Sequence, residues 1–348
     1  MGKTRRVMVG GVPVGGGAPV TIQSMTNTDT RDEEATTAQI LALENAGCEI
    51  ARVSVYDMDC AHAIRGIRAR IHIPLVADVH FDHRLAIAAA ESGADKLRIN
   101  PGNIGGEAKV RELVACAKAH RVPIRIGVNA GSLEADLLAH YGGPKPEAMV
   151  ESALRHIRLL EKEGFTDTVV SLKASNVPDT VAAYRSMRAQ TDYPLHIGVT
   201  EAGMGEYALV KSAVGLGTLL FEGIGDTLRV SLTGDPVREV EAAEQILCAA
   251  GLRKAGLEII SCPTCGRCGV DLEGIVKTLR ARLAGVRGGV TVAVMGCAVN
   301  GPGEAREADI GIAFGRGNGV LFKKGEKIAS GAAEQMLDLL VREVLQMA

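Results

Sequence analysis

Eight short apolar runs recur along the first 250 residues, each followed by a helical pattern. They are TIQSM (21–25), IARVSV (50–55), PLVADVH (74–80), KLRIN (96–100), PIRIGVN (123–129), TVVSLKAS (168–175), PLHIGVT (194–200) and GDTLRVSL (225–232). Between them lie amphipathic stretches such as TTAQILALENAG (36–47) and RLAIAAAESGAD (84–95). Strand-length runs alternating with helix-length ones build parallel βαβ units. Eight such units in about 250 residues have the count and length of a closed (β/α)8 TIM barrel. The glycine-rich opening VMVGGVPVGGGAPV (7–20) reads as a hairpin closing the bottom of that barrel. The expected division is therefore a barrel over residues 1–250 and a small α/β domain over 251–348.

Strands covered on both faces should be almost wholly apolar. These are not. Polar residues recur with period two near their C-terminal ends: Arg52 and Ser54, Asp78 and His80, Arg98 and Asn100, Arg125 and Asn129, Lys173 and Ser175, His196 and Thr200, Arg229 and Ser231. Period two keeps each pair on one face of its strand, and at that end of a barrel the inward face opens into the catalytic mouth. An ion pair with Asp78, Glu201 or Asp226 accounts for any one of the cations. It does not account for Arg52, Arg98, Arg125, Lys173 and Arg229 on five separate strands, because unpaired buried charge is costly. The set points to an anionic substrate bearing more than one phosphate, held by guanidinium forks. Neither a P-loop nor a G-x-G-x-x-G after a strand is present, so a nucleotide site is not expected. INPGNIGG (99–106) offers backbone N–H groups that would help hold phosphate.

After the eighth helix, VREVEAAEQILCAAG (237–251), the pattern changes. LEIISCPTC reads as a strand delivering Cys262 and Cys265. A helix (271–285) and a second strand, VTVAVMGC (290–297), then deliver Cys297, and AVNGPGE forms a loop ending in Glu304. One more strand, a turn at RGNG, a short strand and a final helix complete the module. A structural zinc site would want a second C-x-x-C or a pair of histidines, yet residues 257–348 contain no His. A thioredoxin-like pair would need no third thiol. Three thiolates suit an iron–sulfur group and leave one iron open to an oxygen ligand or a substrate.

Composition narrows the remaining classes. A formal net charge of −2 without a long basic run argues against a nucleic-acid surface. No stretch approaches 18 uninterrupted apolar residues, and glycines interrupt MGKTRRVMVGG before a secretory core forms, so neither a membrane span nor export is expected. The expected location is the cytoplasm, where eight cysteines serve as thiols or ligands rather than disulfides. Cys48, Cys60, Cys116 and Cys248 read as small buried hydrophobes. Aromatics make up 3% of the chain and Trp is absent, so the core must be aliphatic.

Seven segments together carry a specific resemblance: SMTNTDT, DVHFD, LRINPGNIGG, IRIGVNAGSLE, GIGDTLRVSL, ISCPTCGR and MGCAVNGPGEA. They resemble the bacterial 4-hydroxy-3-methylbut-2-enyl diphosphate synthase family of the methylerythritol phosphate pathway, and the similarity spans nearly the whole chain. The resemblance implies a [4Fe–4S] cluster held by Cys262, Cys265, Cys297 and Glu304. It implies two-electron reductive ring opening and dehydration of 2-C-methyl-D-erythritol 2,4-cyclodiphosphate, with flavodoxin or ferredoxin as electron donor. Polar contacts are expected from Asn100, Asn129, Ser231, Thr200 and Glu201, beside Arg52, Asp78, His80, Arg98, Arg125, Lys173, Ser175 and Arg229. Glu201 is the expected proton donor, and Glu304 the ligand that yields to substrate oxygen. Cys268 departs from the family pattern and is read as a bystander. Two other classes stand beside this one: a cluster-independent phosphate-binding barrel lyase or aldolase using Lys173 as a Schiff base, and a non-enzymatic iron–sulfur electron carrier or sensor. Finally, helix eight leaves the chain at the barrel's bottom. A link of about six residues reaches roughly 20 Å, while a 14-residue helix alone is about 21 Å long. The expectation is a head-to-tail homodimer in which each cluster caps the other chain's barrel.

Overall fold

Eight parallel strands close on themselves in the first part of the chain. They are β3 (Thr21–Met25), β4 (Ile50–Ser54), β5 (Leu75–Asp78), β6 (Lys96–Ile99), β7 (Ile124–Asn129), β8 (Thr168–Lys173), β9 (His196–Ile197) and β10 (Thr227–Leu228), preceded by β1 (Arg6–Val9) and β2 (Val12–Gly15). The hydrogen-bonded order is β8-β7-β6-β5-β4-β3-β10-β9. A parallel bridge between Val170 and Leu195 closes the ring. The computed structural model describes residues 3–100, 103–254, 256–286, 289–297, 299–315 and 317–347. It divides into two compact units, Met1–Leu252 and Arg253–Ala348.

The outer ring consists of α1 (Glu33–Asn45), α2 (Met58–Arg68), α3 (His83–Glu91), α4 (Glu107–His120), α5 (Ala135–Tyr141), α6 (Pro146–Lys162), α7 (Val177–Gln190), α8 (Gly205–Phe221) and α9 (Val237–Ala249). Short polar caps set several starts: Asp32, Asp57, Asp82 and Asn176 each accept a backbone N–H of the first turn. Two helices stop earlier than expected. α1 ends before Gly47 and α3 before Gly93, whose positive φ of 101° and 100° take the chain out of the helix. The segment after β7 carries an additional helix, α5, ahead of α6. The last two barrel strands are regular for only two residues each, although Arg229 N still donates to Ile197 O at 3.0 Å.

Register fixes what points inward. Neighbouring residues on parallel strands share a face, so the pairings Met25↔Arg52, Ser54↔Asp78, Asp78↔Arg98, Arg98↔Arg125, Asn129↔Lys173 and Thr227↔His196 place all of these inside the ring. The alternate residues face the helices and build an aliphatic core, Ile22, Val53, Leu97, Ile126 and Leu172 among them, fully buried. At the bottom the glycine-rich opening is an antiparallel hairpin, β1 with β2. Its Val7, Val9 and Val14 pack on Ile50, Val76 and Val169 near the starts of three strands. Of the four cysteines expected in the core, Cys48 and Cys60 are buried, whereas Cys116 and Cys248 are half-exposed on helices.

The second unit is one five-stranded sheet, β11 (Leu257–Ser261), β12 (Val290–Met295), β13 (Ile310–Phe314), β14 (Asn318–Lys323) and β15 (Glu326–Ala332), in that spatial order. The first three are parallel and the last two antiparallel. α10 (Leu272–Arg282), α11 (Gly301–Glu307) and α12 (Ala333–Met347) accompany it. Two expectations are corrected. β15 was not expected: EKIASGA is an edge strand, largely exposed and with little apolar alternation to announce it. Glu304 does not end a loop but lies in the first turn of α11, where Pro302 sets the helical φ without costing a needed N–H. Gly301 packs closely against β12, where a Cβ would stand 2.9 Å from Met295 Cβ.

Candidate active site

An ordinary (β/α)8 interior is filled by branched aliphatics. This one is filled by charge. Arg52, Asp78, Lys96, Arg98, Arg125, Lys173 and His196 are all buried inside the ring. Asp78 is the hub: its Oδ1 accepts from Arg98 Nη1 at 3.0 Å, and its Oδ2 lies 3.7 Å from Arg52 Nε. Arg98 Nη1 also reaches His80 Nε2 at 2.6 Å. Arg125 Nη1 donates to Gln23 Oε1 at 3.2 Å. Arg229 is forked by Glu239 of α9, with both nitrogen–oxygen distances 3.1 Å. Glu239 in turn accepts from Ser24 Oγ and from Leu232 N.

One inward carboxylate among so many cations sets the electrostatics. Burial alone would raise the Asp78 carboxyl, but the guanidiniums of Arg52 and Arg98 reverse this and hold it at about 2. The cations move the other way. Burial, joined by like charge from Arg229 and Arg98, brings Arg52 down to about 10. Burial is also the largest cause for Lys173, followed by Arg52, Arg229, Arg125 and Arg98, and it leaves the amine well below its ordinary range. Lys96 and His196 are depressed in the same way, Lys96 by burial and by Arg125 and Arg52. The Lys96 Nζ, Arg125 Nε and His196 Nε2 atoms are buried with no hydrogen-bond partner. A site in this state gains by admitting anions.

The sequence-derived residues divide on inspection. Arg52, Asp78, His80, Arg98, Arg125, Lys173 and Arg229 form one electrostatically coupled group. Asn100 is buried, Asn129, Thr200 and Ser231 are half-buried, and Ser175 and Glu201 are exposed, all at or beyond strand ends. Glu201 holds a left-handed φ of 50°, strained for a residue with a side chain. The ion-pair expectation is corrected in part. Of the three carboxylates expected to pair, Asp78 alone does so with mouth arginines among the described residues; Asp226 instead accepts from Thr4 Oγ1 at 2.6 Å and from Leu195 N at 2.8 Å at the barrel's foot. Three contributors escaped sequence reasoning. Lys96 shares the parity of Arg98 and Asn100, so the period-two pattern contained it. Gln23 and Glu239 carried no comparable signal, since one resembles an ordinary strand residue and the other belongs to a helix. The phosphate loop expected at INPGNIGG includes Pro101 and Gly102, which lie outside the described residues.

In the second unit, β11 and β12 pair in parallel through Ser261↔Val294, so Cys262 and Cys297 follow adjacent strand tips. Gly296 N–H points at Cys262 Sγ, 3.4 Å away. The Cys297 thiol is lowered by backbone N–H groups of Asn300, Val299 and Gly301, the amides leading into α11. Cys265 is lowered by hydrogen bonds from Arg267. Thr264, at φ 51°, makes the turn between the first two cysteines. Thiolates ringed by backbone N–H donors, with a carboxylate in the next helical turn, form a donor set that fits an iron–sulfur group. Cys268 is turned inward: its Sγ donates to Val270 O at 3.3 Å, and it fills the space a Cβ on Gly296 would need.

A (β/α)8 barrel with a cation-filled mouth, followed by a separate α/β unit bearing thiols at its strand tips, is the class of protein that fold and site define. Two family models divide the chain along the same lines: the GcpE TIM-barrel domain matches residues 4–244 and the GcpE protein C-terminal domain residues 258–346. The chain belongs to the GcpE family. It is 58% identical over 342 residues (98% of this chain, 97% of the relative) to a Geobacter sulfurreducens protein named 4-hydroxy-3-methylbut-2-en-1-yl diphosphate synthase (flavodoxin). A Nitratidesulfovibrio vulgaris protein of the same name is 60% identical over 324 residues, covering 93% of this chain and 84% of the relative. Among solved structures, the dihydropteroate synthase of Stenotrophomonas maltophilia superposes with a TM-score of 0.51 at 15% identity, over 71% of this chain and 97% of that one. At that identity the likeness concerns the barrel fold alone. Among the described residues no helix is long and apolar enough to cross a membrane.

Proposed function

We propose that the chain catalyses reductive ring opening and dehydration of 2-C-methyl-D-erythritol 2,4-cyclodiphosphate to 4-hydroxy-3-methylbut-2-enyl diphosphate. Two electrons reach the site singly, from flavodoxin as the relatives' printed name indicates. The observation that carries the reading is the excess of buried cations over the single carboxylate Asp78 inside the barrel. A cyclic diphosphate brings two negative charges to that excess, which lowers the cost of holding the cations buried.

In this reading the barrel binds substrate. Arg52, Arg98, Arg125, Lys173 and Arg229 take the two phosphates, with Asp78 and Glu239 keeping Arg98 and Arg229 in fixed orientations. Lys173, whose amine burial and the neighbouring arginines lower, gains a proton-favouring neighbour when phosphate arrives. Asn100, Asn129, Ser175, Thr200, Ser231 and His80 complete the polar rim. Glu201 donates the proton that lets oxygen leave as water. Cys262, Cys265, Cys297 and Glu304 would hold the [4Fe–4S] cluster, the carboxylate being the weakest of the four ligands. When bound, that group supplies low-potential electrons one at a time.

The depressed Lys173 amine would equally suit a Schiff-base lyase. That reading leaves the thiol-bearing unit without a purpose. The proposed setting is the cytoplasm, which keeps these thiols reduced. The short link between α9 and β11 favours a head-to-tail dimer in which substrate site and cluster come from different chains. Anaerobic incubation of iron- and sulfide-loaded protein with the cyclodiphosphate and a chemical reductant should yield the linear diphosphate. Protein that holds iron and sulfide yet consumes no cyclodiphosphate would refute the reading.

A further inference from the structure

Three contacts repeat at a constant offset along the paired helices α3 and α4. His83 Nε2 meets Glu112 Oε2 at 3.1 Å, Ile87 O lies 4.0 Å from Cys116 Sγ, and Glu91 meets Cys116 and His120. Each step of four residues on one helix is matched by four on the other, as expected where two helices run side by side in the same direction. The last rung differs in kind from the others. One ligand atom each from Glu91, Cys116 and His120 lies within 4.8 Å of the other two, and among the described residues no other three His, Cys, Asp or Glu side chains gather in this way.

We propose that Glu91, Cys116 and His120 form a binding site for a zinc-class divalent cation at the foot of the barrel. The chemistry of the donors fits: one thiolate, one imidazole and one carboxylate are the borderline-soft set that zinc accepts, with water as the fourth ligand. Cys116 and His120 stand one helical turn apart, so both side chains leave α4 on one face. The position fits as well. Glu91 and His120 are the final residues of α3 and α4, where unpaired carbonyls give each helix a negative end that favours a cation. Glu91 and His120 are exposed and Cys116 half-buried, so an ion can enter. Without one, the Cys116 thiol is raised by burial and by the Glu91 carboxylate. On binding, the thiol proton passes to solvent and the sulfur–metal bond replaces it. Helices run back from mouth to foot, so the site is remote from the mouth, and its effect falls on the α3–α4 packing rather than on turnover.

The full chain, already loaded with iron and sulfide so that the thiols of the second unit are engaged, is titrated with Zn2+ against a chromophoric chelator. About one ion per chain should bind, and Cys116→Ser or His120→Ala should each weaken it by more than roughly tenfold, since even an outer-shell partner is worth that much. Co2+ in place of Zn2+ should give a sulfur-to-metal charge-transfer band that Cys116→Ser abolishes. Zinc should raise the melting temperature of the parent chain and not of either variant. Equal affinity in parent and variants would mean an adventitious ion only, and a cobalt band surviving Cys116→Ser would place the metal elsewhere; either overturns the site. Glu91→Gln, an exposed and conservative change, gives the same reading should a ligand variant express poorly.

Discussion

The Arg98 guanidinium occupies the space that a side chain on Gly127 would need. A Cβ at Gly127 would overlap Arg98 Nε and stand 2.8 Å from Nη2. Gly127 is therefore required by its neighbour across β6 and β7, not by backbone conformation. Gly127→Ala should push Arg98 off Asp78 while the barrel, whose strands keep their ladder, stays folded. Loss of one charge-assisted contact is worth roughly 1.5–3 kcal/mol. The Michaelis constant for the cyclodiphosphate should rise about tenfold to hundredfold, with iron content unchanged. An unaltered Michaelis constant would show that Arg98 does not touch substrate.

Glu239→Gln tests the second anchored arginine. The carboxylate takes both Arg229 nitrogens, Ser24 Oγ and Leu232 N, and its side chain is 4% exposed. Removing one partner of a buried pair costs about 3–5 kcal/mol because the remaining charge is stranded. The melting temperature should fall, and added cyclodiphosphate should recover part of the loss by giving Arg229 a new partner. A fall that ligand leaves untouched would assign Arg229 to structure alone.

The barrel was legible because helix and strand periods differ so sharply, and the mouth because Arg52, Arg98, Arg125, Lys173 and Arg229 interrupt runs that should be apolar. What was missed has physical causes. Glu239 sits on a helix and meets Arg229 only through the closed ring, a pairing that no local pattern encodes. Lys96 has the right parity, but a charged residue at a strand's start reads as its polar edge. Gly-Pro-Gly ahead of Glu304 reads as a break, whereas Pro at a helix start is a beginning. β15 has too little apolar alternation to be seen without β14 beside it.

Asp78 should make stability depend on acid. Its carboxyl is held at about 2, below the ordinary 3.8. A depressed carboxyl stabilises the fold above its unfolded value and loses that contribution as pH falls through the folded one. Thermal midpoints should be insensitive to this group above about pH 5 and fall between about pH 4 and 2. In Asp78→Asn the midpoint should start lower and that acid-dependent segment should flatten. An unchanged acid slope would mean that other carboxylates dominate it.

The four thiols of the second unit should separate into two classes. Cys262→Ser, Cys265→Ser and Cys297→Ser should each lose the roughly four irons per chain of a [4Fe–4S] cluster, together with activity. Cys268→Ser should retain both, since its sulfur is spent on Val270 O and on packing against Gly296. Glu304→Gln should fold, because α11 is begun by Pro302 rather than by the carboxylate, but it should hold iron less firmly and turn over far more slowly. Iron loss in Cys268→Ser with retention in Cys262→Ser would reverse the assignment.

Assembly can be decided by mixing two inactive proteins. α9 ends at Ala249 and β11 begins at Leu257, so seven residues join the units. Fully extended they span about 24 Å, and α9, 13 residues long, returns the chain to the barrel's foot. Reaching the mouth from there means covering the barrel's height of roughly 20 Å and crossing its rim. The proposed arrangement has cluster and substrate site meeting across a two-fold axis. Chains carrying Arg98→Ala with Arg125→Ala should keep an intact thiol unit and lose most of their affinity for substrate. Cys297→Ser chains should keep an intact barrel and lose the proposed cluster. After subunit exchange, each mixed dimer of the proposed kind contains one intact barrel facing one intact cluster, so half of its sites are whole and activity returns. In a dimer whose sites are built within single chains, every site carries one of the two lesions. Mixed dimers that form, as shown by differently tagged chains purifying together, and yet remain inactive would exclude the shared site.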